Sequence, residues 1–247
     1  MSRTRLPICG LMGLALIATA ARVSADEPKP SPTPISWELT FKPAPLERIQ
    51  VDTGKGPETY WYMIYTVINE TGQDIDFFPE VVRISEIDRG AAATSGPAKS
   101  DEGLGMIIEP ALVGGHPKIY EAIKQLYGKT RPFLVPPVEA IGRLLQGKDN
   151  ARTSVVIFSD LDPRVTKCTI YFGGLSGEKV SIPNPKYDPR RAMAQEKKSD
   201  AKQVEDKDNS QYFVLRKTLA MPYTLPGDAR TRRSAAPAAG PLGWVMR

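Results

Sequence analysis

The sequence predicts an all-β chain, an antiparallel β-sandwich with one or two short helical insertions. Apolar and polar residues alternate over short runs, as in half-buried strands. The 23 Pro and 20 Gly are spread along 247 residues, which favours many short elements joined by turns. Strand and helix patterns do not alternate as a parallel sheet would require.

The centre of the fold is read at residues 59–74, TYWYMIYTVINETGQD. From Tyr60 to Ile68 every residue but Thr66 is aromatic or aliphatic, so both faces of a strand there call for burial. Asn69, Glu70, Thr71 and Gly72 supply a turn, and Ile75 to Phe78 return the chain. Before it, residues 36–42 alternate Trp37, Leu39 and Phe41 against Glu38, Thr40 and Lys42, and Ile49 and Val51 repeat the pattern weakly. After it, residues 81–87 form a strand with Val82 and Ile84 on one face and Arg83 and Ser85 on the other.

Residues 88–103 are small and polar and read as a mobile surface loop. Residues 104–109 follow as a short strand. The helical insertion spans residues 117–127: Ile119, Ile123, Leu126 and Tyr127 recur at helical spacing, Pro117 suits the first turn and Gly128 the stop. Residues 138–145 fit a second helix or a strand, since Gly142 interrupts the apolar spacing. Strands follow at residues 154–158, 167–172 and 180–182, with Cys168, Ile170 and Phe172 on one face. Residues 183–210 are charged and poor in apolar groups, a linker or long exposed loop. Residues 212–221 make a long closing strand, with Phe213, Leu215, Leu219 and Met221 against Arg216, Thr218 and Ala220. The domain therefore spans residues 36–228, and residues 229–247 form an Arg, Ala and Pro-rich tail.

The N-terminus carries a targeting pattern. Arg3 and Arg5 precede an apolar run from Ile8 to Ala20, and Val23, Ser24 and Ala25 offer a cleavage site, so residues 1–25 read as a signal peptide. An uncleaved anchor is the rival, although the run is shorter than the roughly 20 residues a spanning helix needs. Residues 26–35 are a Pro-rich lead. Of the 33 Lys and Arg residues, Arg3, Arg5 and Arg22 would leave with the signal, so the mature chain carries 30 basic groups against 28 acidic ones. That near balance argues against nucleic acid as a partner. Cys9 would leave as well, and Cys168 alone cannot form an internal disulfide.

No group of residues assembles a catalytic, cofactor or metal site. The one histidine, His116, lies between Gly115 and Pro117 without a second His or Cys to share a zinc ion. The parity of Cys168 places it on an apolar face, where a thiolate is disfavoured. The pairs Asp160 with Asp162 and Asp74 with Asp76 sit in turn or strand-edge contexts. Asp206, Asp208 and Ser210 begin like a calcium loop, but Gln211 and Lys217 stand where Gly and Glu are required. Asn69-Glu70-Thr71 matches a glycosylation acceptor and also serves as a turn. Arg230, Arg232 and Arg233 offer a basic cluster in the tail.

The segments YTVINETGQDIDFFP, VVIFSDLDP and CTIYFGGLSG together resemble immunoglobulin-like β-sandwich domains of uncharacterised exported bacterial proteins. The resemblance covers residues 36–227 and lacks the antibody disulfide framework. It implies an envelope or secreted module. The expected function is an exported, non-catalytic protein-interaction or structural module of the cell envelope or periplasm, with an envelope or secreted protein as partner and no cofactor. The alternative is a carbohydrate-binding domain that stacks sugars on Trp61 or Tyr65. A hydrolase using Asp160 and Asp162 is the third reading.

Overall fold

The apolar run beginning at Tyr60 becomes strand β2 (Pro57–Ile68), flanked by β1 (Thr40–Asp52) and β7 (Arg152–Ser159), both antiparallel to it. The computed structural model describes residues 36–54, 56–87, 105–112, 117–191, 209–228, 230–232 and 235–247, all within one unit, Ser36–Arg247. The expected signal 1–25, lead 26–35, loop 88–103, His116 and Arg233 lie outside the described residues, as do residues 192–208 with Asp206 and Asp208.

β1 is a single strand of 13 residues where the sequence pattern suggested two pieces. Pro43, Ala44 and Pro45 are absorbed where the register shifts between Pro43 and Leu46. Proline lacks an N–H for the ladder, and an edge strand with such an irregularity tolerates it. Directly opposite residues share a face, so Leu46, Met63 and Val156 form one row across this first sheet.

The second sheet runs β11 (Ala238–Ala239), β10 (Tyr212–Thr224), β8 (Val165–Gly173), β4 (Glu80–Ile87) and β5 (Met106–Pro110), all antiparallel neighbours. Two further strands, β9 (Lys179–Pro183) and β12 (Gly243–Met246), also pair with β10. A small pair, β3 (Ile75–Phe77) with β6 (Gly142–Leu144), completes the all-β architecture. Residues 138–145 divide between the two expected conformations: Pro137–Ala140 is a 3-10 turn, and Gly142, at φ +111°, turns the chain into β6.

One buried cluster joins the facing sides of the two sheets through residues such as Trp61, Met63 and Phe158 from the first, and Ile170, Phe172 and Met221 from the second. Phe41 bridges them, its ring 5.6 Å from Tyr65 and 4.6 Å from Phe172. A second cluster lies on the other side of the first sheet. There Ile119 and Ile123 of helix α1 (Pro117–Tyr127), together with Leu134, cover Tyr62, Ile64, Val155 and Ile157. From Tyr60 onward β2 is thus buried on both faces, as its largely apolar composition there demands.

β4 inverts the simple reading of its alternation. Its apolar residues Val82 and Ile84 face outward and are half-exposed, while Arg83 and Ser85 face the core and are fully buried. The inversion is possible because Glu109 of β5, directly opposite Arg83, supplies the counter-charge.

Two further segments are tied to the fold in ways the sequence pattern leaves open. The tail is no free extension, because Gly243–Met246 pairs with residues 217–220 of β10 and places Trp244 opposite Leu219. A four-residue edge strand has too little alternation to be legible in the sequence. The charged stretch from residue 183 is fastened at its described ends: Asn184 Nδ2 donates to the Ser210 carbonyl (2.8 Å), and Asn209 Nδ2 donates to the Asp188 carbonyl (3.0 Å). No helix among the described residues is long and apolar enough to cross a membrane.

Candidate interaction surface

The residues that sequence reasoning considered for chemistry are mostly occupied in holding the fold. Trp61 is 2 % exposed and donates its indole N–H to Asp160 Oδ1 at 3.1 Å. The same oxygen accepts the Leu161 N–H (2.8 Å), so Asp160 organises its own turn and anchors the core tryptophan. Asp162 accepts from the Arg164 backbone (2.9 Å) and pairs with its guanidinium (2.7 Å). Asp74 and Asp76 both approach Arg143, at 3.7 and 3.4 Å. Tyr65 is also 2 % exposed, and burial pushes its phenol up to about 12. The aromatic run therefore presents no platform for a sugar.

Asn69 is fully buried, and its amide nitrogen donates to the carbonyls of Gln73 (2.8 Å) and Leu144 (2.9 Å). Both amide protons are committed, so this asparagine works as a turn organiser. Cys168 is buried, and desolvation pushes its thiol up to about 11. Glu47 accepts from the hydroxyls of Tyr62 and Tyr127, each at 2.7 Å, which ties α1 to the first sheet. Among the described residues no group of three or more His, Cys, Asp and Glu is placed to hold a metal ion.

The feature that stands apart is a two-stranded ribbon. β8 ends at Gly173 and Gly174, and Gly174 (φ +84°) lies so close to the chain that a Cβ there would collide with the Phe78 carbonyl. The following residues turn to the segment before β1, where the Leu39 N–H donates to the Leu175 carbonyl (2.8 Å) and the Gly177 N–H to the Trp37 carbonyl (3.0 Å), and β9 then pairs with β10 beyond the point where β8 leaves it. In this ribbon Phe213 stands opposite Ile182 and Leu215 opposite Val180 on one face, with Val214 and Tyr212 on the other. Val180, Ile182, Tyr212, Phe213 and Val214 are each 40–55 % exposed.

Where β10 crosses the second sheet, Leu219 and Met221 are buried as their parity suggests, and Thr218 on the other face is buried as well. The parity fails for Phe213, because the strand has by then passed beyond the first sheet's cover. The available signal was the unbroken run Tyr212 to Leu215, apolar on both faces yet flanked by the charged stretch before it.

Beside the ribbon, the docked end of the chain shapes two grooves. One of about 330 Å³ is lined by Phe41, Leu219, Leu242 and Trp244, with Lys217 over the Trp244 ring (5.2 Å) and paired to Glu38 (2.9 Å) and Glu178 (3.1 Å). The other, of about 200 Å³, opens on the outer face of the second sheet and is lined by Glu80, Val82, Tyr171, Thr218, Arg216 and Arg247, among others.

No protein-family model matches this sequence, and searches of curated proteins and of solved structures return no significant match.

Proposed function

We propose that this chain is an exported, non-catalytic module of the cell envelope, built as an immunoglobulin-like β-sandwich, that docks another envelope or secreted protein through its β9–β10 ribbon. The observation that carries this reading is the exposure of five apolar side chains on both faces of that ribbon. Solitary exposed apolar residues are ordinary, but a contiguous group on a projecting pair of strands favours a covering partner. Export is inferred from the N-terminal pattern of basic, apolar and small residues. The sugar-stacking alternative needs an exposed aromatic face, and Trp61 and Tyr65 offer none.

The test is site-specific photo-crosslinking in the native cell. A photoreactive residue at Val214 is expected to capture a discrete protein, whereas one at the exposed Leu126 of α1 is not. An absence of any adduct from Val214, with the chain folded and abundant, removes the reading. N-terminal sequencing of the exported chain is expected to begin at Asp26.

A further inference from the structure

The two sheets differ in how their outer sides are treated. α1 and Leu134 cover the first. No outward-facing residue of the second belongs to either buried cluster. Because β4 is inverted, that outer side carries an apolar patch among its charged residues: Val82 and Ile84 lie beside Ile108 and Tyr171, and Ile108 is 61 % exposed. The surface continues through Val245, opposite Thr218, to Val214 and Tyr212 of the ribbon.

Within this surface stand two arginines in an unfavourable arrangement. Arg216 and Arg247 exchange main-chain hydrogen bonds (2.7 and 3.1 Å), so they are directly opposite and their side chains share a face. Like charges in that relation repel. No carboxylate side chain among the described residues lies within ion-pair distance of either guanidinium, and Arg247 instead rests on the Tyr171 ring at 4.4 Å. Both line the groove of about 200 Å³ together with Thr218 and Glu80.

We infer that this groove receives a single carboxylate side chain from a protein segment whose flanking residues are apolar. The inference rests on the proposed interaction role and names the partner's chemistry. A carboxylate between the two guanidiniums removes their repulsion and accepts charge-assisted hydrogen bonds, while its apolar neighbours cover Val82, Tyr171, Val245 and Val214. Glu80 in the same groove partly offsets the two guanidiniums, which suits one carboxylate better than a phosphate dianion or a nucleic-acid strand.

The test selects linear twelve-residue peptides by display against the purified full chain, then measures their affinity. Selected peptides are expected to share one Asp or Glu between apolar or aromatic residues. Arg216→Gln and Arg247→Gln should each weaken binding about tenfold, and the control Lys129→Glu on the opposite side should leave it unchanged. Changing the peptide carboxylate to its amide should add little to the loss already caused by Arg216→Gln. Selected peptides without a carboxylate, binding indifferent to both arginine variants, no selected peptide at all, or preferential binding to phosphatidylcholine–phosphatidylglycerol vesicles would each overturn the inference. Both arginines are exposed, so unchanged thermal unfolding of the variants separates lost binding from lost folding. If Val214 still cross-links a partner in cells when Arg216 and Arg247 are both Gln, the interaction role stands and this inference alone fails.

Discussion

Arg83 of β4 and Glu109 of the edge strand β5 form an ion pair on the core-facing side of the second sheet. Arg83 Nε donates to Glu109 Oε2 at 3.1 Å, Nη2 donates to the Ser159 carbonyl at 3.0 Å, and the guanidinium lies 5.0 Å from the Phe158 ring centroid. The arginine is fully buried, while Glu109 keeps 30 % of its side-chain surface. Among the described residues, Nη1 and the neighbouring Ser85 hydroxyl find no hydrogen-bond partner.

Such a pair is expected to matter more through its loss than through its presence. Glu109→Gln leaves a buried cation uncompensated and should destabilise the fold by about 3 kcal/mol. The double variant Arg83→Met with Glu109→Gln removes the charge as well and should recover a large part of that loss. Urea unfolding of wild type, single and double variants decides this. A double variant less stable than Glu109→Gln alone would sink the argument.

Asn69→Asp keeps the size of the side chain but replaces a double donor with an acceptor facing the carbonyls of Gln73 and Leu144. The expected loss is about 2–3 kcal/mol, from two donated bonds exchanged for repulsion in a buried site. Denaturant unfolding measures it, and a loss under about 0.5 kcal/mol would contradict the role given to Asn69.

Burial raises the Cys168 thiol to about 11 in the folded chain, so the native state holds its proton where the unfolded state releases it. Stability from this group is fully present below the thiol's ordinary value near 9 and is lost as pH rises through 11. The cumulative loss is about 2–3 kcal/mol. Unfolding free energies at pH 8, 9, 10 and 11 are expected to fall more steeply for wild type than for Cys168→Ala. Tyr65 and Tyr223, both raised to about 12 by burial, add to the alkaline decline in both proteins.

Substitutions along β10 should separate the ribbon from the core. Met221 is 1 % exposed, and Met221→Ala is expected to lose about 2–5 kcal/mol. Val214 is 55 % exposed, and Val214→Thr should change stability by less than about 0.5 kcal/mol while weakening partner capture. Thermal unfolding of the two variants, read beside cross-linking from a second ribbon position such as Val180, tests both statements. A large stability loss in Val214→Thr would show that the ribbon belongs to the core.

Much of the fold is carried by local pattern. The run from Tyr60 to Ile68, apolar at every position but Thr66, requires a strand covered on both faces, because its apolar side chains gain by leaving water. The spacing of Ile119 and Ile123 places one face of a helix against that strand, and the parity of Cys168, Ile170 and Phe172 points them to one core. Where a distant partner overrides the pattern, local alternation is no guide. Arg83 faces inward because Glu109, 26 residues away, meets it across the sheet. Phe213 stays exposed because β10 outruns the sheet that covers Leu219 and Met221. Arg216 and Arg247 meet because the end of the chain returns to the edge of β10. Alternation states which residues share a face; which face is covered depends on contacts far apart in sequence, and in this protein the proposed binding surfaces lie on the faces left uncovered.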